Sequence, residues 1–133
     1  MSEQQNRDTL ERYIQEFERG DIDAAADFLH DDYVEEYPQS GERIRGKQNW
    51  LNILKTYPRL PKLIDYSLKV SGELCVLDAI LEYESNRVYV CEIFEVQDGK
   101  IKRAREYFGE PFEAPEWRAQ WVERAQGETP IAQ

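Results

Sequence analysis

The chain has 133 residues, enough for one domain with a hydrophobic core, and its 12% aromatic content excludes a disordered chain. Its 27 Asp and Glu residues against 17 Lys and Arg give a net charge of -10, which argues against nucleic acids and anionic membranes as partners. No apolar run reaches the roughly 20 residues that span a bilayer, and the first residues lack a signal-peptide pattern. We therefore expect a cytoplasmic protein.

The first half of the chain predicts three helices and one short strand. Ser2 and Gln5 have the spacing of a capping box, which predicts a first helix at the N-terminal end. Asp21 can cap a second helix, and apolar residues then recur at helical spacing. Residues 33–37 are expected to form a short strand, and residues 47–57 a third helix that ends before a proline.

The second half predicts antiparallel strands followed by a last helix. Four stretches have strand patterns: residues 63–71, 74–84, 87–97 and 100–108. Asp98-Gly99 joins the last two and is the strongest short hairpin signal, while Pro115 opens the final helix. Helices followed by such strands favour an α+β fold with the helices on one side of a curved antiparallel sheet. We expect a single domain over residues 1–126 and a loose tail over 127–133.

The hairpin turn predicts which residues of neighbouring strands face each other. A two-residue turn pairs Gln97 with Lys100, and the same register sets Cys91 opposite Glu106 and brings Asp78 to the same face. That face would carry eight residues: Asp78, Ile80, Tyr89, Cys91, Ile93, Ala104, Glu106 and Phe108. A carboxylate on so apolar a face is costly unless it is paired, hydrated or used in chemistry. The sequence therefore predicts a pocket.

The opposite face of the predicted sheet is also apolar. It would carry Leu81, Val90, Phe94 and Tyr107, among others. The helices can cover only one of the two faces, although an antiparallel sheet can leave the other in contact with water. We therefore expect a homodimer that buries this second face.

Several short motifs together resemble the nuclear transport factor 2-like superfamily, in particular its SnoaL-like branch. The matching stretches are Tyr13 followed by residues 20–23, residues 33–41 up to Gly46, the hairpin over residues 97–101, and residues 105–108. The resemblance covers residues 8–124 and implies a cone-shaped α+β barrel that encloses a pocket and is usually dimeric. Members include isomerases, polyketide cyclases, epoxide hydrolases and dehydratases, and also non-catalytic proteins that only bind ligands or act as scaffolds. The fold alone therefore does not determine the reaction.

The resemblance also implies roles for single residues. The segments at Asp78 and Glu106 resemble those that hold two catalytic acids in limonene epoxide hydrolase-like members, whose arginine two residues before the first acid is replaced here by Val76. Tyr13 matches the oxyanion-stabilising tyrosine of ketosteroid isomerase-like members, and the general base of those members would fall at Tyr37. Glu106 is also the nearest match to the proton-transferring acid of cyclase-like members.

Glu106 and Asp78 are the predicted catalytic residues. Desolvation favours the acid form of a carboxyl group, which suits it to proton transfer near neutral pH. For both residues the alternative is a buried structural acid, hydrogen-bonded to a tyrosine or an arginine. The remaining candidates are predicted to line the pocket or bind substrate: Tyr13, Glu36, Trp50, Tyr57, Ile80, Tyr89, Cys91, Ile93 and Phe108.

The sequence argues against several other classes of site. His30 is the only histidine and lies far from any nucleophile motif, which argues against a Ser-His or Cys-His triad. It also leaves no zinc-like ligand set, and we expect neither metal nor cofactor. Cys75 and Cys91 lack a partner motif and are expected to be buried, reduced thiols.

Two functions stay open. One is a cofactor-independent enzyme that isomerises, cyclises, dehydrates or hydrates a small apolar substrate by proton transfer. The other is a non-catalytic module that binds an apolar ligand or another protein.

Overall fold

The helices form where the sequence places their caps. The structure, a computed structural model, describes residues 2–125, so the predicted loose tail over 127–133 lies outside the described residues. It contains four helical segments: α1 (Glu3–Glu18), α2 (Ile22–Ala26), α3 (Lys47–Thr56) and a 3-10 helix (Glu116–Trp121). The Ser2 hydroxyl accepts from the Gln5 N–H, and the Gln5 side chain accepts from the Ser2 N–H, so the predicted capping box is confirmed.

The sheet has six strands and is curved and unclosed. The strands are β1 (Leu29–Tyr37), β2 (Glu42–Arg45), β3 (Lys62–Ser71), β4 (Leu74–Tyr83), β5 (Asn86–Gln97) and β6 (Lys100–Gly109). Their order is β2-β1-β6-β5-β4-β3, and β1 runs parallel to β6 whereas the other neighbours are antiparallel. The predicted α+β class, with helices packed on a curved sheet, is confirmed. The sequence analysis missed β2, began β1 four residues late and did not predict the parallel pair.

The Asp98-Gly99 turn forms as predicted, but the register beyond it differs. Both turn residues have positive φ, as a type I′ turn requires, and Gln97 faces Lys100. Directly after Ile101, β6 contains a bulge at Lys102, so that two residues of β6 oppose one of β5. Because side chains alternate with a period of two, every residue of β6 after Lys102 lies on the opposite face from the one that the predicted register gave it.

The bulge places Glu106 opposite Glu92 and not opposite Cys91, so the predicted pairing is wrong. The β4–β5 pairing is shifted as well, and Asp78 faces Cys91 on the far side of the sheet from Glu106. The buried core lies between the helices and the inner face of the sheet, and includes Leu10, Trp50 and Phe94.

The face expected to bury a homodimer is therefore the inner face. Val90 and Phe94 are buried beneath the helices, and Leu81 also points inward, whereas Tyr107 alone of the four named residues lies on the outer face. Cys75 is buried as expected, but Cys91 is exposed, which corrects the prediction of two buried thiols. Within residues 2–125, no helix is long and apolar enough to cross a membrane.

The bulge gives a direct test of the register. Deleting Lys102 removes only the unpaired residue between Ile101 and Arg103, so Arg103, Arg105 and Tyr107 should stay on the outer face. We expect the deletion variant to keep a cooperative thermal transition measured by circular dichroism. Lys102→Ala keeps the backbone and should change the free energy of unfolding by less than about 0.5 kcal/mol. A deletion variant that loses its cooperative transition would contradict the assignment of Lys102 as the extra residue of the bulge.

Candidate functional site

A cavity lies between the helices and the inner face of the sheet. Its volume is about 140 Å³, and an apolar cavity of roughly this size accepts a benzene-sized ligand. Helices α1 and α3 form one wall, strands β1 and β3 to β6 form the other, and the loop before β3 contributes a third side. Most of the lining is apolar, including Ile14, Phe17, Leu54, Leu60, Leu77 and Leu81.

Three buried carboxyl groups meet at one part of this cavity. Glu35 on β1, Glu106 on β6 and Glu92 on β5 occupy inward positions on three adjacent strands. Glu35 is 3% exposed and Glu92 is 7% exposed, while Glu106 is half-buried and lines the cavity with them. Carboxylate oxygens of the three side chains all lie within 4.8 Å of one another. At such distances the three groups cannot titrate independently.

Glu35 is held by hydrogen-bond donors on both of its oxygens. The Tyr33 hydroxyl donates to Oε1 at 2.6 Å, and the Tyr37 hydroxyl donates to Oε2. These residues are successive inward positions of β1, so the strand itself brings both phenols to the carboxylate. Burial raises the pKa of Glu35, and hydrogen bonds from Tyr33, Tyr37 and Trp50 oppose that rise. Glu35 is therefore the most acidic of the three.

The two phenols remain neutral donors. Burial, followed by the charge of Glu35, raises the pKa of Tyr33 and of Tyr37 well above the ordinary value for tyrosine. A hydroxyl that keeps its proton at every physiological pH can donate continuously to an ionised Glu35.

Glu92 and Glu106 form a pair that retains a proton. Burial is the main cause that raises the pKa of Glu92 well above its usual range, and the charges of Glu106 and Glu35 add to it. Burial and the charge of Glu35 likewise raise the pKa of Glu106, while a hydrogen bond with Glu92 opposes the rise. In this pair Glu92 donates and Glu106 accepts, so one proton is shared between two carboxyl groups on facing residues.

Among the cavity-lining residues of the described chain there is no lysine or arginine. The excess negative charge near the three carboxyl groups is therefore reduced by protons and phenol hydroxyls, and not by a basic side chain. The three glutamates also have the spacing of a cluster of oxygen ligands for a hard cation. Both oxygens of Glu35 already accept from tyrosines, so a cation would have to compete with these donors. The absence of a metal stays a prediction.

Five of the predicted site residues line the cavity: Tyr13, Trp50, Tyr57, Glu106 and Phe108. The Tyr13 ring packs near Trp50 and Phe94, with ring centroids 6.3 and 6.1 Å away. Tyr57 is partly exposed and Trp50 is buried. The structure thus brings together residues from α1, α3 and β6, although their roles in binding or catalysis stay predictions.

Six predicted site residues do not line the cavity: Glu36, Asp78, Ile80, Tyr89, Cys91 and Ile93. The predicted shared cavity of Asp78 and Glu106 is wrong, because Asp78 is exposed on the outer face. Glu36 also lies on the outer side, where it forms ion pairs at 3.2 Å with Arg43 and Arg105. The hydrogen bond from Arg105 is the largest cause that lowers the pKa of Glu36, which is thus an ionised surface acid.

Sequence reasoning missed Glu35 and Glu92. Each has apolar or aromatic neighbours two residues before and after it, Tyr33 and Tyr37 around the first, Val90 and Phe94 around the second. In a strand these neighbours share a face with the acid, so this local pattern indicates a buried carboxyl group without any knowledge of the register.

Comparisons with known proteins identify the family and the fold of the chain. A profile of the SnoaL-like domain matches residues 10–104. No curated protein gives a match. A solved nuclear transport factor 2-like protein of unknown function from Burkholderia xenovorans is 34% identical over 92% of this chain and 97% of that chain, with a TM-score of 0.82.

Two further solved structures carry names of activities. A candidate ketosteroid isomerase from Kribbella flavida is 27% identical, over 94% of this chain and 93% of that chain, with a TM-score of 0.87. An LEH-like epoxide hydrolase from M. tuberculosis is 25% identical, over 79% of this chain and 83% of that chain, with a TM-score of 0.66. The similarities confirm the predicted family and fold, and the different names leave the specific activity open.

The buried pair gives a prediction about stability. The raised pKa of Glu92 means that the folded state binds this proton more tightly than the unfolded state. The contribution of this proton to the free energy of unfolding is therefore complete at pH values below the ordinary pKa of about 4.5. It is lost as pH rises through the pKa that Glu92 has in the folded state. Glu92→Gln should raise the free energy of unfolding at pH 8 by about 1 kcal/mol, or about 4 °C, and change it little at pH 4.

Thermal melts from pH 4 to pH 8 provide the measurement. Glu95→Gln is the matched control, because Glu95 lies on the same strand but is exposed, and its melting curve should follow the wild type. A Glu92→Gln protein that is less stable than the wild type at pH 8 would contradict the assignment of a proton-retaining pair.

Proposed function

Since the chain belongs to the SnoaL-like family, we propose that it is a cofactor-independent enzyme that transfers protons on a small, largely apolar substrate. The observation that carries this proposal is the meeting of Glu35, Glu92 and Glu106 in an otherwise apolar cavity. Burying three acids costs free energy, and a simple carrier of apolar molecules gains nothing from that cost. Groups with raised pKa values in a cavity are typical of acid–base catalysis.

Glu106 is the proposed acid–base residue. It lines the cavity and accepts a hydrogen bond from Glu92, so its carboxylate can take a proton from a C–H bond next to a carbonyl group. Glu92 can return its proton to another atom of the substrate. The pair is then restored when the proton on Glu106 moves across the hydrogen bond to Glu92, and no proton is gained or lost over the cycle.

Glu35 and Tyr13 have supporting roles in the proposal. Burial is the main cause that raises the pKa values of Glu92 and Glu106, and the charge of Glu35, which its tyrosine donors stabilise, adds to the rise in both. Burial also raises the pKa of Tyr13 well above its usual value, so its hydroxyl stays protonated and can donate to a substrate oxygen.

The charge of the cavity favours a neutral substrate. With three acids and no basic lining residue in the described chain, a carboxylate or phosphate group would be repelled from the reacting end. The apolar wall and the volume of about 140 Å³ fit a compact ring or short chain with one carbonyl, epoxide or hydroxyl oxygen.

Hydrogen–deuterium exchange tests the proposal without knowledge of the natural substrate. A panel of neutral ketones, enones and lactones with five to ten carbon atoms, about the size the cavity accepts, would be incubated with the protein in D₂O and followed by proton NMR. We expect exchange at carbon next to the carbonyl of at least one compound. Glu106→Gln should slow that exchange by about 10²–10⁴-fold, the usual contribution of a general acid or base.

Asp78→Asn is the matched control for this experiment. Its sequence position also suggested catalysis, but its side chain lies outside the cavity, so the exchange rate should equal that of the wild type. Equal rates in the wild type and Glu106→Gln would remove Glu106 from the mechanism. Compounds that raise the melting temperature but never exchange would instead favour the alternative function, a non-catalytic binding module.

A further inference from the structure

A second cavity lies on the surface beside the one that holds the three carboxyl groups. Its volume is about 460 Å³, and we call it the groove, as distinct from the inner cavity. One side of the groove is the segment between α3 and the start of β3, which contributes Arg59 and Lys62. The other side is the end of the β4–β5 hairpin, which contributes Glu82 and Glu84. The groove is therefore formed by two segments that meet at one end of the sheet.

Three residues, Tyr57, Leu60 and Tyr83, line both the groove and the inner cavity, and they form the partition between the two spaces. Burial is the main cause that raises the pKa of Tyr83, and Tyr57 and Glu106 add to the rise. The Tyr83 hydroxyl therefore lies between the groove and the carboxyl cluster. Tyr57 directly follows α3 and is 43% exposed, so its ring can turn aside without disturbing the helix.

The groove differs from the inner cavity in its charges. Glu84 pairs with Arg59 at 3.8 Å. Glu82 pairs with Arg87 at 3.6 Å, although Lys62 on β3 faces it. Lys62 is exposed and forms no ion pair within residues 2–125. Because the two acid–arginine pairs are neutral, Lys62 leaves the groove with one positive charge in a chain whose net charge is -10.

The inner cavity by itself holds only a compact molecule, because about 140 Å³ is roughly the volume that accepts benzene. The groove offers a larger volume directly behind the partition. A substrate that extends past Tyr57 and Tyr83 therefore gains contacts that a compact substrate lacks.

We propose that the groove is the outer half of the substrate site and binds a carboxylate of the substrate through Lys62. This inference rests on the proposed function, since it places the reacting end of the same molecule beside Glu92 and Glu106. The substrate class is an amphipathic molecule, with a neutral ketone, enone or lactone at one end, an apolar chain, and a carboxylate at the other end. One unpaired lysine balances the single charge of a carboxylate and not the larger charge of a phosphate.

The opposite charges of the two spaces fix the direction in which such a substrate binds. The three acids repel a carboxylate from the inner cavity, whereas Lys62 attracts it to the groove. The apolar chain then lies against the partition, and the carbonyl group is held at the carboxyl cluster. Binding energy from a remote part of the substrate is in this way used to orient the reacting part.

Isothermal titration calorimetry with paired ligands tests the proposal. The probes are cyclohexanones that bear, opposite the carbonyl, an apolar chain of increasing length that ends in a carboxylate or in its methyl ester. The wild type should bind the carboxylate about fivefold more tightly than the ester, the upper end of what an exposed ion pair contributes. This difference should appear only when the chain is long enough to pass Tyr57. A difference of the same size for a carboxylate attached directly to the ring would contradict its placement in the groove.

Substitutions of Lys62 give the second half of the test. Lys62→Glu should reverse the preference, so that the ester binds more tightly, and Lys62→Met should remove it. Lys69→Glu is the matched control, because Lys69 is an exposed lysine on the same strand that does not line the groove, so the ratio should stay that of the wild type. Comparison of two ligands within one variant cancels any effect of the substitution on folding. Equal affinities in the wild type, or a ratio that Lys62→Glu leaves unchanged, would overturn the proposal.

A third ligand, with a phosphate at the end of the chain, tests the charged group itself. Phosphate that binds more tightly than carboxylate, and does so through Lys62, would overturn the assignment of a carboxylate.

Hydrogen–deuterium exchange of the same compounds separates this inference from the proposed function. A carboxylate preference that depends on Lys62, without exchange in any compound, would support the groove and contradict proton transfer. Exchange in ketones that show no carboxylate preference would support proton transfer and overturn the role of the groove.

Discussion

The arrangement of the site depends on the bulge at Lys102, where β6 carries one more residue than β5. In a regular ladder that paired Lys102 with Glu95, Glu106 would point to the outer face and two arginines would point into the core. With it, Glu106 meets Glu92 directly across the hairpin, and the parallel neighbour β1 adds Glu35 on the other side. The bulge thus changes the face on which the later side chains of β6 lie and leaves the Asp98-Gly99 turn unchanged. The carboxyl cluster exists because three adjacent strands present acids at neighbouring inward positions: Glu106 faces Glu92, and Glu35 faces Ala104, the preceding inward residue of β6.

That cluster can exist in an apolar interior because its groups do not all carry charge. Three ionised carboxylates within 4.8 Å of one another would repel strongly at low dielectric. A proton shared by Glu92 and Glu106 removes part of this repulsion, and the phenols of Tyr33 and Tyr37 stabilise the charge that remains on Glu35. The same arrangement that makes burial tolerable places the shared proton beside the cavity. Stability and the proposed proton transfer would therefore both depend on where that proton resides.

Signals from neighbouring residues predicted much of the fold, whereas the pairing of residues that are distant in the sequence was predicted wrongly. The capping box at Ser2, the cap at Asp21 and the Asp98-Gly99 turn depend only on neighbouring residues, and all three form. The bulge is set by which face of β6 fits beneath the helices, so no residue near Lys102 signals it. Five of the eleven candidate site residues, Asp78 and Cys91 among them, were assigned to the cavity face by the wrong register. Candidate residues on helices, such as Tyr13 and Trp50, do line the cavity, because the buried face of a helix is set by its own apolar pattern and not by pairing with another strand.

The two faces of the sheet shift the pKa values of carboxyl groups in opposite directions. On the inner face, burial favours the protonated form of Glu92 and Glu106, whereas on the outer face Arg105 and Arg43 hold Glu36 in its ionised form. The formal charge of -10 counts all 27 acids as ionised, whereas burial disfavours the ionised form of Glu92 and Glu106. Glu35 and Glu36 are consecutive in the sequence, yet one belongs to the cavity and the other to the surface. Because alternation along a strand separates such neighbours, Glu36 can be substituted on the surface without removing a carboxyl group from the cavity.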